Sequence, residues 1–331
     1  MRDLKYLSPT SLATARKNIE EFYMQYLADV RAPRTEQTKP MAIGSAFDAY
    51  VKSYLYECLF GKGHNPDFSL STILEKQVSP NNLSWAREHG MYVFNEYKSN
   101  GALADILLEL QSSIGPPRFE FEIQGNILRE ATIEGVVFLG RPDIFFTNKG
   151  GANITFDWKV NGYCSPSAVS PKTGYIGLKP GWTMHKDCNR KVYKEFYYNA
   201  NSPMESVDRD WAAQLTIYSW LCGQPVGSTF IAAIDQICCN TKNLTKTYPE
   251  LRVAQHRAMI TESYQNSIYT EAHTLWKNIK ENWIFRDMTQ AESIGRCQIL
   301  DQRAKEMWGA TDNESEEDKI FRELTTMRRF Y

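Results

Sequence analysis

The sequence predicts an α+β fold, in which a helix precedes a run of short antiparallel strands, and a second helix and a further strand follow. Apolar residues recur at spacings of three and four up to about residue 112, which is typical of amphipathic helices. Between 119 and 160 apolar and polar residues alternate, as in half-buried strands. Helical spacing returns at 210–222, and a strand of small and branched residues follows at 228–237.

Three helices are predicted in the first third of the chain. Ser8 and Pro9 supply the N-cap and the first position of the first helix. Apolar spacing predicts a second helix from about Ala42 to Tyr56 and a third over roughly 84–112. We expect residues 60–85, which are rich in Gly, Asn, Ser and Pro, to be irregular.

Four strands follow, and the last two are joined by a hairpin. Their ranges are Phe119–Ile123, Thr132–Leu139, Pro142–Thr147 and Ile154–Val160. The stretch Asn148-Lys-Gly-Gly151 between the last two is a strong hairpin-turn signal. Residues 161–207 show no clear period, and the chain turns helical again after Pro249. We therefore expect one domain over 1–240, in which 161–207 is an insertion, followed by a helical extension over 241–331.

The composition is that of a folded chain with almost no net charge. Its 331 residues are 42% hydrophobic, which is too apolar for a disordered protein. With 38 basic and 39 acidic residues, any nucleic-acid site must be a local patch. No apolar run approaches the roughly 18 residues of a membrane span, and the first residues lack a secretion signal, so we expect a cytoplasmic chain without a membrane partner. The seven cysteines contain no C-x-x-C spacing, which favours reduced thiols over a zinc ribbon.

Two aspartates and a lysine near the predicted hairpin carry the chemical signal. The stretch Gly140-Arg-Pro-Asp143 begins the third strand, and Asp157-Trp-Lys159 lies on the fourth. Because side chains alternate along a strand, Asp157 and Lys159 should lie on one face and Trp158 on the other. A loop with an odd number of residues, such as a three-residue loop with a glycine bulge, would place Asp143 opposite Asp157.

Facing carboxylates favour a divalent metal ion between them. A cation relieves their repulsion, and Mg²⁺ or Mn²⁺ prefers oxygen ligands. Lys159 near the same ion could orient or help deprotonate a water molecule, and could stabilise charge on a phosphoryl oxygen. Each motif also has a purely structural interpretation: Asp-x-Lys as an exposed ion pair at a strand end, and Pro-Asp as a simple strand start.

Three further polar residues could join this site. Asp48 lies on the flank of the apolar stripe of the second helix, from which its carboxylate could reach the sheet edge as a metal ligand. Otherwise it makes a salt bridge on the helix surface. Gln214 and Tyr218 are one turn apart on a helix that begins at Asp208 or Asp210. They could bind a phosphate or hold the lysine, or they could be a buried polar pair.

In chain order, Gly44-x-x-x-Asp48, Gly-Arg-Pro-Asp143, Asp157-x-Lys159 and Gln214-x-x-x-Tyr218 resemble the motifs of the PD-(D/E)XK nuclease superfamily. The pattern is most similar to the RecB-like and phage-type exonuclease branch and covers roughly residues 8–237. The resemblance implies a restriction-endonuclease-like αβββαβ core and a Mg²⁺- or Mn²⁺-dependent hydrolysis of DNA, in a bacterium or a phage-infected host. It also implies metal binding by Asp143, Asp157 and the backbone carbonyl of Trp158, a catalytic Lys159, and Gln214 and Tyr218 as the helix motif of the branch.

The chain departs from this family in two places. Many members of the branch carry histidine where Asp48 stands, which leaves the number of bound metals open. Relatives with an iron–sulfur cluster place one cysteine near the first helix and three near the C-terminus. Here the first helix has no cysteine and only Cys297 follows Cys239, so we expect no cluster.

The insertion over 161–207 combines cations with aromatic residues, the combination that grips single-stranded nucleic acid. We expect it to guide DNA into the metal site, unless it is an ordinary insertion with a small core of its own. The cations that would contact phosphates are Lys172, Lys179, Lys186, Arg190, Lys191 and Lys194.

We therefore expect a divalent-metal-dependent DNA exonuclease of phage or bacterial recombination, replication or repair. The choice of exonuclease over endonuclease rests on the resemblance alone. The alternatives are an endonuclease that nicks DNA or cuts flaps, and a catalytically silent DNA-binding or assembly subunit with the same fold. Other candidate partners are a single-strand-binding or annealing protein and further copies of the chain in a ring-shaped homo-oligomer.

Overall fold

A mixed β-sheet with helices on both faces organises the larger part of the chain. The computed structural model describes residues 1–33, 36–120, 123–127, 135–161, 193–198, 203–239 and 251–309, and for 193–198 the backbone alone. The chain divides into two compact units, one formed by Glu36–His273 and the other by Met1–Thr35 with Thr274–Tyr331. The fold is α+β, as the sequence predicted.

Within the described residues, eight strands of the larger unit form two sheets. They are β1 (Arg118–Phe119), β2 (Ile123–Ile127), β3 (Val136–Gly140), β4 (Ile144–Thr147), β5 (Asn153–Asn161), β6 (Tyr193–Tyr198), β7 (Ile231–Cys239) and β8 (Leu251–Met259). The main sheet has the strand order β1-β4-β5-β7-β8-β6, and β2 and β3 form a separate antiparallel pair. The β5–β7 and β6–β8 pairs are parallel, whereas the other neighbours in the main sheet are antiparallel.

Helices occur in both units. They are α1 (Pro9–Lys17), α2 (Ile19–Phe22), α3 (Lys39–Phe60), α4 (Leu70–Gln77), α5 (Pro80–Ser99), α6 (Ala102–Gln111), α7 (Met204–Val207), α8 (Arg209–Leu221), α9 (Glu262–Lys280) and α10 (Gln290–Trp308). A π-helical turn over Tyr23–Leu27 follows α2, and a short 3₁₀ helix over Pro66–Phe68 precedes α4. None of the helices in the described part of the chain combines the length and the apolarity needed to cross a bilayer.

The two faces of β5 have different partners. Phe156 and Trp158 belong to the apolar core that the sheet shares with α3, α5 and α6. On the opposite face, the hydroxyl of Thr155 is hydrogen-bonded to that of Ser219 on α8, at 2.6 Å. The alternation along β5 is therefore the predicted one, with Trp158 on the face opposite to its two neighbours.

The predicted hairpin joins β4 to β5. The Asn148 N–H donates to the Ala152 carbonyl at 2.9 Å, which leaves a loop of three residues between them. Gly151, the last of the three, has a φ of 83°, a conformation that favours glycine. The loop thus has the odd number of residues that is needed to place Asp143 opposite Asp157.

Local signals at two helix starts have the predicted effect. The Ser8 hydroxyl accepts from the Ser11 N–H at 3.1 Å, and the Ser11 hydroxyl accepts from the Ser8 N–H at 2.8 Å, which caps α1. The Asp208 carboxylate accepts from the N–H groups of Asp210 and Trp211 at 2.9 and 3.0 Å. Asp208 is therefore the N-cap of α8.

Helices α3 and α5 cross at close range because Gly90 has no side chain. A Cβ atom at Gly90 would lie 2.6 Å from the Cβ of Ala46 and 3.1 Å from its backbone carbonyl carbon. The crossing holds α3, and with it the predicted metal ligand Asp48, in a fixed position on the α5 side of the sheet.

The smaller unit is built around α10. The Tyr23 hydroxyl of the π-helical turn donates to Asp301 of α10 at 3.0 Å, and the same carboxylate accepts from the Asp29 N–H at 3.2 Å. Arg296 of α10 forms an ion pair with Glu20 of α2. These contacts fasten the N-terminal helices to α10.

The largest difference from the prediction is β8, which occupies a segment that was expected to be helical. This strand buries Gln255, His256 and Arg257, so polar residues lie on both of its faces and the apolar alternation is lost. The extension over 241–331 is therefore not wholly helical, because it contains β8. The expected domain division at residue 240 stays a prediction.

Smaller differences concern where elements begin and end. The helix expected over 84–112 is two helices, separated at Gly101, which has a φ of 89°. The strand expected over 119–123 is divided between β1 and β2, which belong to different sheets. Strand β6 and helix α7 lie within 161–207, where no regular element was predicted.

Candidate metal centre

Helix α3, strand β5, the end of β1 and the residue before β4 surround a cavity of about 300 Å³. Its polar lining includes Ser45, Asp48, Lys52, Gln77, Glu120, Asp143 and Asp157, and Trp158 lines it as well. The three acidic side chains predicted to bind metal thus lie around one cavity, together with polar residues that had no predicted role.

The hairpin register places Asp143 against Asp157. Ile144 pairs with Phe156, so the two aspartates lie one residue beyond the end of the ladder. Asp143 Oδ2 accepts a hydrogen bond from the Trp158 N–H at 3.2 Å. The two carboxylates are also close enough to hydrogen-bond to each other. The structure therefore brings this pair together as the register argument predicted.

The two aspartates differ in their affinity for a proton. Burial, together with the charge of Asp143, raises the pKa of Asp157 well above its ordinary value. Burial acts on Asp143 in the same sense, but Lys52 and the hydrogen bond from Asp157 outweigh it and hold the pKa of Asp143 below its usual range. A proton shared by the pair therefore belongs to Asp157.

Lys159 lies between Asp157 and helix α8. Its ammonium forms an ion pair with Asp157 and donates to Gln214 Oε1 at 3.1 Å. The amide nitrogen of Gln214 in turn donates to the Tyr218 hydroxyl at 3.0 Å. Burial disfavours the charge of Lys159, but Asp157 outweighs burial and raises the pKa of the lysine. Lys159 is therefore a charged group whose direction is set by the Gln214–Tyr218 pair.

Gly140 allows α8 to approach the site. A Cβ atom at this position would lie 2.7 Å from Leu221 Cδ1 and 2.8 Å from the Tyr218 ring. Burial raises the pKa of the Tyr218 hydroxyl to about 12. The Gly-Arg-Pro-Asp motif thus supplies both a close helix contact and a carboxylate.

Lys52 lies in the middle of the acidic side chains. It follows Asp48 by one turn of α3, and its side chain is 2% exposed. Its ammonium donates to Asp48 Oδ2 at 2.7 Å and to Asp143 Oδ1 at 2.9 Å, and it lies 3.6 Å from Glu120 Oε2. Burial alone would lower the pKa of Lys52, but the three carboxylates raise it and keep the lysine charged. Burial also raises the pKa of Asp48, to about 7, even though Lys52 opposes the shift.

Glu120, at the end of β1, completes the acidic group. Its φ is 41°, which is uncommon for a residue with a side chain, and its N–H donates to the Asp143 carbonyl at 3.0 Å. Its carboxylate accepts from the Gln77 amide at 2.8 Å, and the same amide donates to Asp48 at 3.2 Å. Such a backbone conformation costs about 1–3 kcal/mol, and residues of this kind cluster at functional sites.

Lys52, Gln77 and Glu120 were not predicted from the sequence. The spacing of Lys52, four residues after Asp48 on a helix, was a usable signal. Glu120 belongs to an alternating pattern that assigns its side chain to the solvent face of a strand. Gln77 lies in a segment that was expected to be irregular, so neither residue had a local signal.

A buried polar network supports Trp158 from the core side of the sheet. The indole N–H of Trp158 donates to the Tyr97 hydroxyl at 3.3 Å, and Tyr97 donates to Asp235. Asp235 also accepts from Arg257 at 2.9 Å and from Gln255 at 3.2 Å. The network fixes the indole ring and, through it, the backbone of the residue between Asp157 and Lys159.

The donors around the cavity fit a hard divalent ion. Mg²⁺ and Mn²⁺ prefer carboxylate oxygens of the kind that Asp48, Asp143 and Asp157 present. Asp48 Oδ1 is buried and has no hydrogen-bond partner among the described residues. In the part of the chain that the structure describes, no three His, Cys, Asp or Glu side chains are drawn together at ligand spacing. The ammonium of Lys52 lies among three of the carboxylates, those of Asp48, Glu120 and Asp143.

Of the six cations predicted to contact DNA, one lies within the described residues. Lys172, Lys179, Lys186, Arg190 and Lys191 lie outside the described residues. Of Lys194 the backbone alone is described, in β6, where it pairs with Val253 of β8. The DNA-guiding role of the insertion stays a prediction.

Comparisons with known proteins assign no family to the chain. No family model matches it, and no curated protein matches it. One similar solved structure is described as "Crystal structure of SSO0001"; it is 12% identical, and the match covers 78% of this chain and 88% of that chain with a TM-score of 0.25. That score is too low for the likeness to bear on fold or function.

Proposed function

We propose that the chain is a divalent-metal-dependent deoxyribonuclease of the PD-(D/E)XK type, with a restriction-endonuclease-like core. The observation that carries the proposal is the convergence of Asp143, Asp157, Lys159, Gln214 and Tyr218. They come from the residue before β4, from β5 and from α8, and each touches the next through its side chain. A structural ion pair at a strand end would need neither the second aspartate nor the Gln–Tyr pair.

Asp143, Asp157 and the backbone carbonyl of Trp158 are the groups that would hold the ion, and Asp48 is a further candidate ligand. When bound, Mg²⁺ or Mn²⁺ supplies Lewis-acid polarisation of a phosphodiester and a lowered pKa for water. The Trp158 N–H keeps Asp143 in place, because it donates to the Oδ2 atom of that carboxylate. The hydrogen-bonded network of Tyr97 and Asp235 holds Trp158 itself.

Lys159 would act as an electrostatic group toward the phosphate. It carries its proton in the free chain, so its ammonium can stabilise negative charge that develops on a phosphoryl oxygen. Gln214 accepts a hydrogen bond from one N–H group of Lys159, and Asp157 accepts one from a second. The third N–H group is left for the substrate.

The choice of DNA as substrate, and of an end-processing exonuclease in phage or bacterial recombination, replication or repair, rests on the resemblance to the RecB-like branch. Under this proposal the insertion over 161–207 guides the strand, and the enzyme works in the cytoplasm. A single-strand-binding or annealing protein, or further copies of the chain, would be its partners.

Cleavage of linear and circular DNA of the same sequence tests the proposal. The purified chain is incubated with each substrate in Mg²⁺, in Mn²⁺ and in chelator. We expect loss of linear DNA alone, and only with metal. Lys159→Ala should lower the rate at least about 100-fold, which is the scale of one lost charge-stabilising donor. Lys149→Ala, an exposed lysine in the turn of the same hairpin, is the matched control and should retain wild-type activity.

Each other outcome identifies a rival. Cutting of circular DNA would assign an endonuclease, because an exonuclease needs an end. DNA binding without cleavage in either metal would contradict the proposal and favour a catalytically silent subunit. Cleavage that survives Lys159→Ala undiminished would remove the lysine from the mechanism.

A further inference from the structure

The ammonium of Lys52 lies among carboxylates, in a position where a metal ion would be expected. Its side chain is 2% exposed and its ammonium lies 2.7 Å from Asp48 Oδ2 and 2.9 Å from Asp143 Oδ1. A buried ammonium without partners is strongly disfavoured, and so is a group of buried carboxylates without a cation. The lysine and the carboxylates around it therefore stabilise one another in the absence of any ion.

The two oxygens of Asp143 have different partners. Oδ1 accepts from Lys52, whereas Oδ2 accepts from the Trp158 N–H at 3.2 Å. Asp143 is thus shared between the Lys52 ammonium on one side and, under the proposed function, the ion held with Asp157 on the other. Two-metal hydrolases hold their ions about 3.5–4 Å apart, a spacing that one carboxylate can bridge. Lys52 occupies Oδ1 of Asp143, the oxygen that a second ion would need if this carboxylate bridged two ions.

The net charge of this cluster of side chains matches that of one divalent ion. Four carboxylates, from Asp48, Glu120, Asp143 and Asp157, face two ammonium groups, from Lys52 and Lys159. When all four carboxylates are ionised, as metal ligands must be, the surplus of two negative charges equals the charge of a single Mg²⁺ or Mn²⁺ ion. Arg141 also approaches Glu120, at 3.5 Å, but this arginine is 57% exposed and lies at the solvent side of the group.

We propose that Lys52 is a tethered cation in the second-metal position of this centre, so that the wild-type chain binds one divalent ion rather than two. The inference rests on the proposed function, because it assumes that Asp143 and Asp157 hold the first ion. Lys52 is then a positioning residue, which holds Asp48, Glu120 and Asp143 and does not touch the substrate. Removal of its ammonium should open the second position to a second ion.

Counting bound Mn²⁺ in the absence of DNA tests this inference without reference to activity. The intact chain is titrated with Mn²⁺, and free and bound ions are measured by electron paramagnetic resonance and calorimetry. The variants are Lys52→Ala and, as a control, Lys76→Ala, an exposed lysine paired with Asp67 on the surface. Circular dichroism checks that each variant is folded.

We expect one Mn²⁺ per chain for the wild type and for Lys76→Ala, and two for Lys52→Ala, with spin coupling between neighbouring ions. Two ions in the wild type would overturn the inference, even if the Lys52 variant does not fold. A single ion in a folded Lys52→Ala would overturn it as well. A wild type that binds no Mn²⁺ would contradict the proposed metal-dependent function itself, and the inference with it.

Discussion

Gln214 orients Lys159 by accepting a hydrogen bond from it, and Tyr218 orients Gln214 in the same way. Tyr218→Phe removes the hydroxyl that accepts from Gln214 at 3.0 Å but keeps the ring that packs against Gly140. We expect kcat for DNA cleavage to fall about 10-fold with little change in KM, because outer groups that orient a reacting side chain contribute about 10–100-fold. Steady-state kinetics of this variant beside Tyr26→Phe, which lies in the other unit, provide the measurement. An unchanged kcat would show that Gln214 is held without the tyrosine.

Gly140 is a position at which one added carbon should disturb the site. In Gly140→Ala the new Cβ would lie 2.7 Å from Leu221 and 2.8 Å from the Tyr218 ring, so these two side chains of α8 must shift. We expect a loss of about 1–3 kcal/mol in the free energy of unfolding, the usual cost of overpacking, together with reduced cleavage. Urea denaturation measures the first effect. Gly125→Ala on β2 is the matched control, because its Cβ would lie at an ordinary 3.6 Å from the same leucine. Equal stability of the two variants would contradict the packing argument.

His256 makes the fold sensitive to acid. It is buried, its ring is hydrogen-bonded to Gln236 at 3.2 Å, and burial together with the charge of Arg257 lowers its pKa to about 3. The unfolded chain protonates this histidine near pH 6.5, whereas the folded chain does so only near pH 3. The free energy of unfolding should therefore fall as the pH drops from 6.5 toward 3.

His256→Gln should remove this part of the acid sensitivity. Between pH 7 and pH 5 we expect the wild type to lose about 2 kcal/mol more stability than the variant, since all other titrating groups are common to both. Urea denaturation at the two pH values measures the difference. Equal losses would mean that the folded chain protonates His256 as readily as the unfolded one.

At the scale of elements, the crossing of α3 and α5 decides where Asp48 and Lys52 lie. Gly90→Ala would place a Cβ 2.6 Å from that of Ala46 and 3.1–3.2 Å from the backbone of α3, so the two helices must separate. We expect a loss of about 1–3 kcal/mol in the free energy of unfolding. Gly44→Ala on α3 has no atom within 4 Å of the added Cβ and should gain up to about 1 kcal/mol from helix propensity. Thermal denaturation of both variants tests the difference in sign, and a stabilised Gly90→Ala would refute the close crossing.

Elements with a strong local signal were predictable, and elements defined by their neighbours were not. The β4–β5 hairpin follows from Asn148 and Gly151, because an asparagine cap and a glycine with positive φ specify the turn by themselves. Strand β8 has no such signal. It is a strand because it pairs with β7 and with β6 in the main sheet, and its buried Arg257 is satisfied by Asp235 on the neighbouring strand.

The same distinction applies to the site. Asp143, Asp157 and Lys159 follow from the register of one hairpin, so sequence spacing was enough to bring them together. Glu120 reaches the cavity only because its backbone takes a φ of 41° at the end of β1. No sequence pattern predicts this backbone conformation, so the place of Glu120 in the acidic group is apparent only from the structure.

At the scale of the whole molecule, the near-zero net charge conceals a strongly acidic centre. The chain carries a net charge of −1, yet four carboxylates and the ammonium of Lys52 line one cavity of about 300 Å³, and the ammonium of Lys159 pairs with one of the carboxylates. A phosphodiester that enters such a cavity is repelled unless a cation neutralises the surplus. Metal binding and substrate binding at this centre should therefore depend on each other.

Anomalous scattering from crystals of the wild-type chain grown with Mn²⁺ tests the central claim most directly. We predict one manganese peak, in contact with the carboxylates of Asp143 and Asp157 and the backbone carbonyl of Trp158, while the ammonium of Lys52 stays between Asp48 and Asp143. A manganese ion bound only elsewhere, or no peak at this cavity, would contradict the assignment of a metal-dependent nuclease centre.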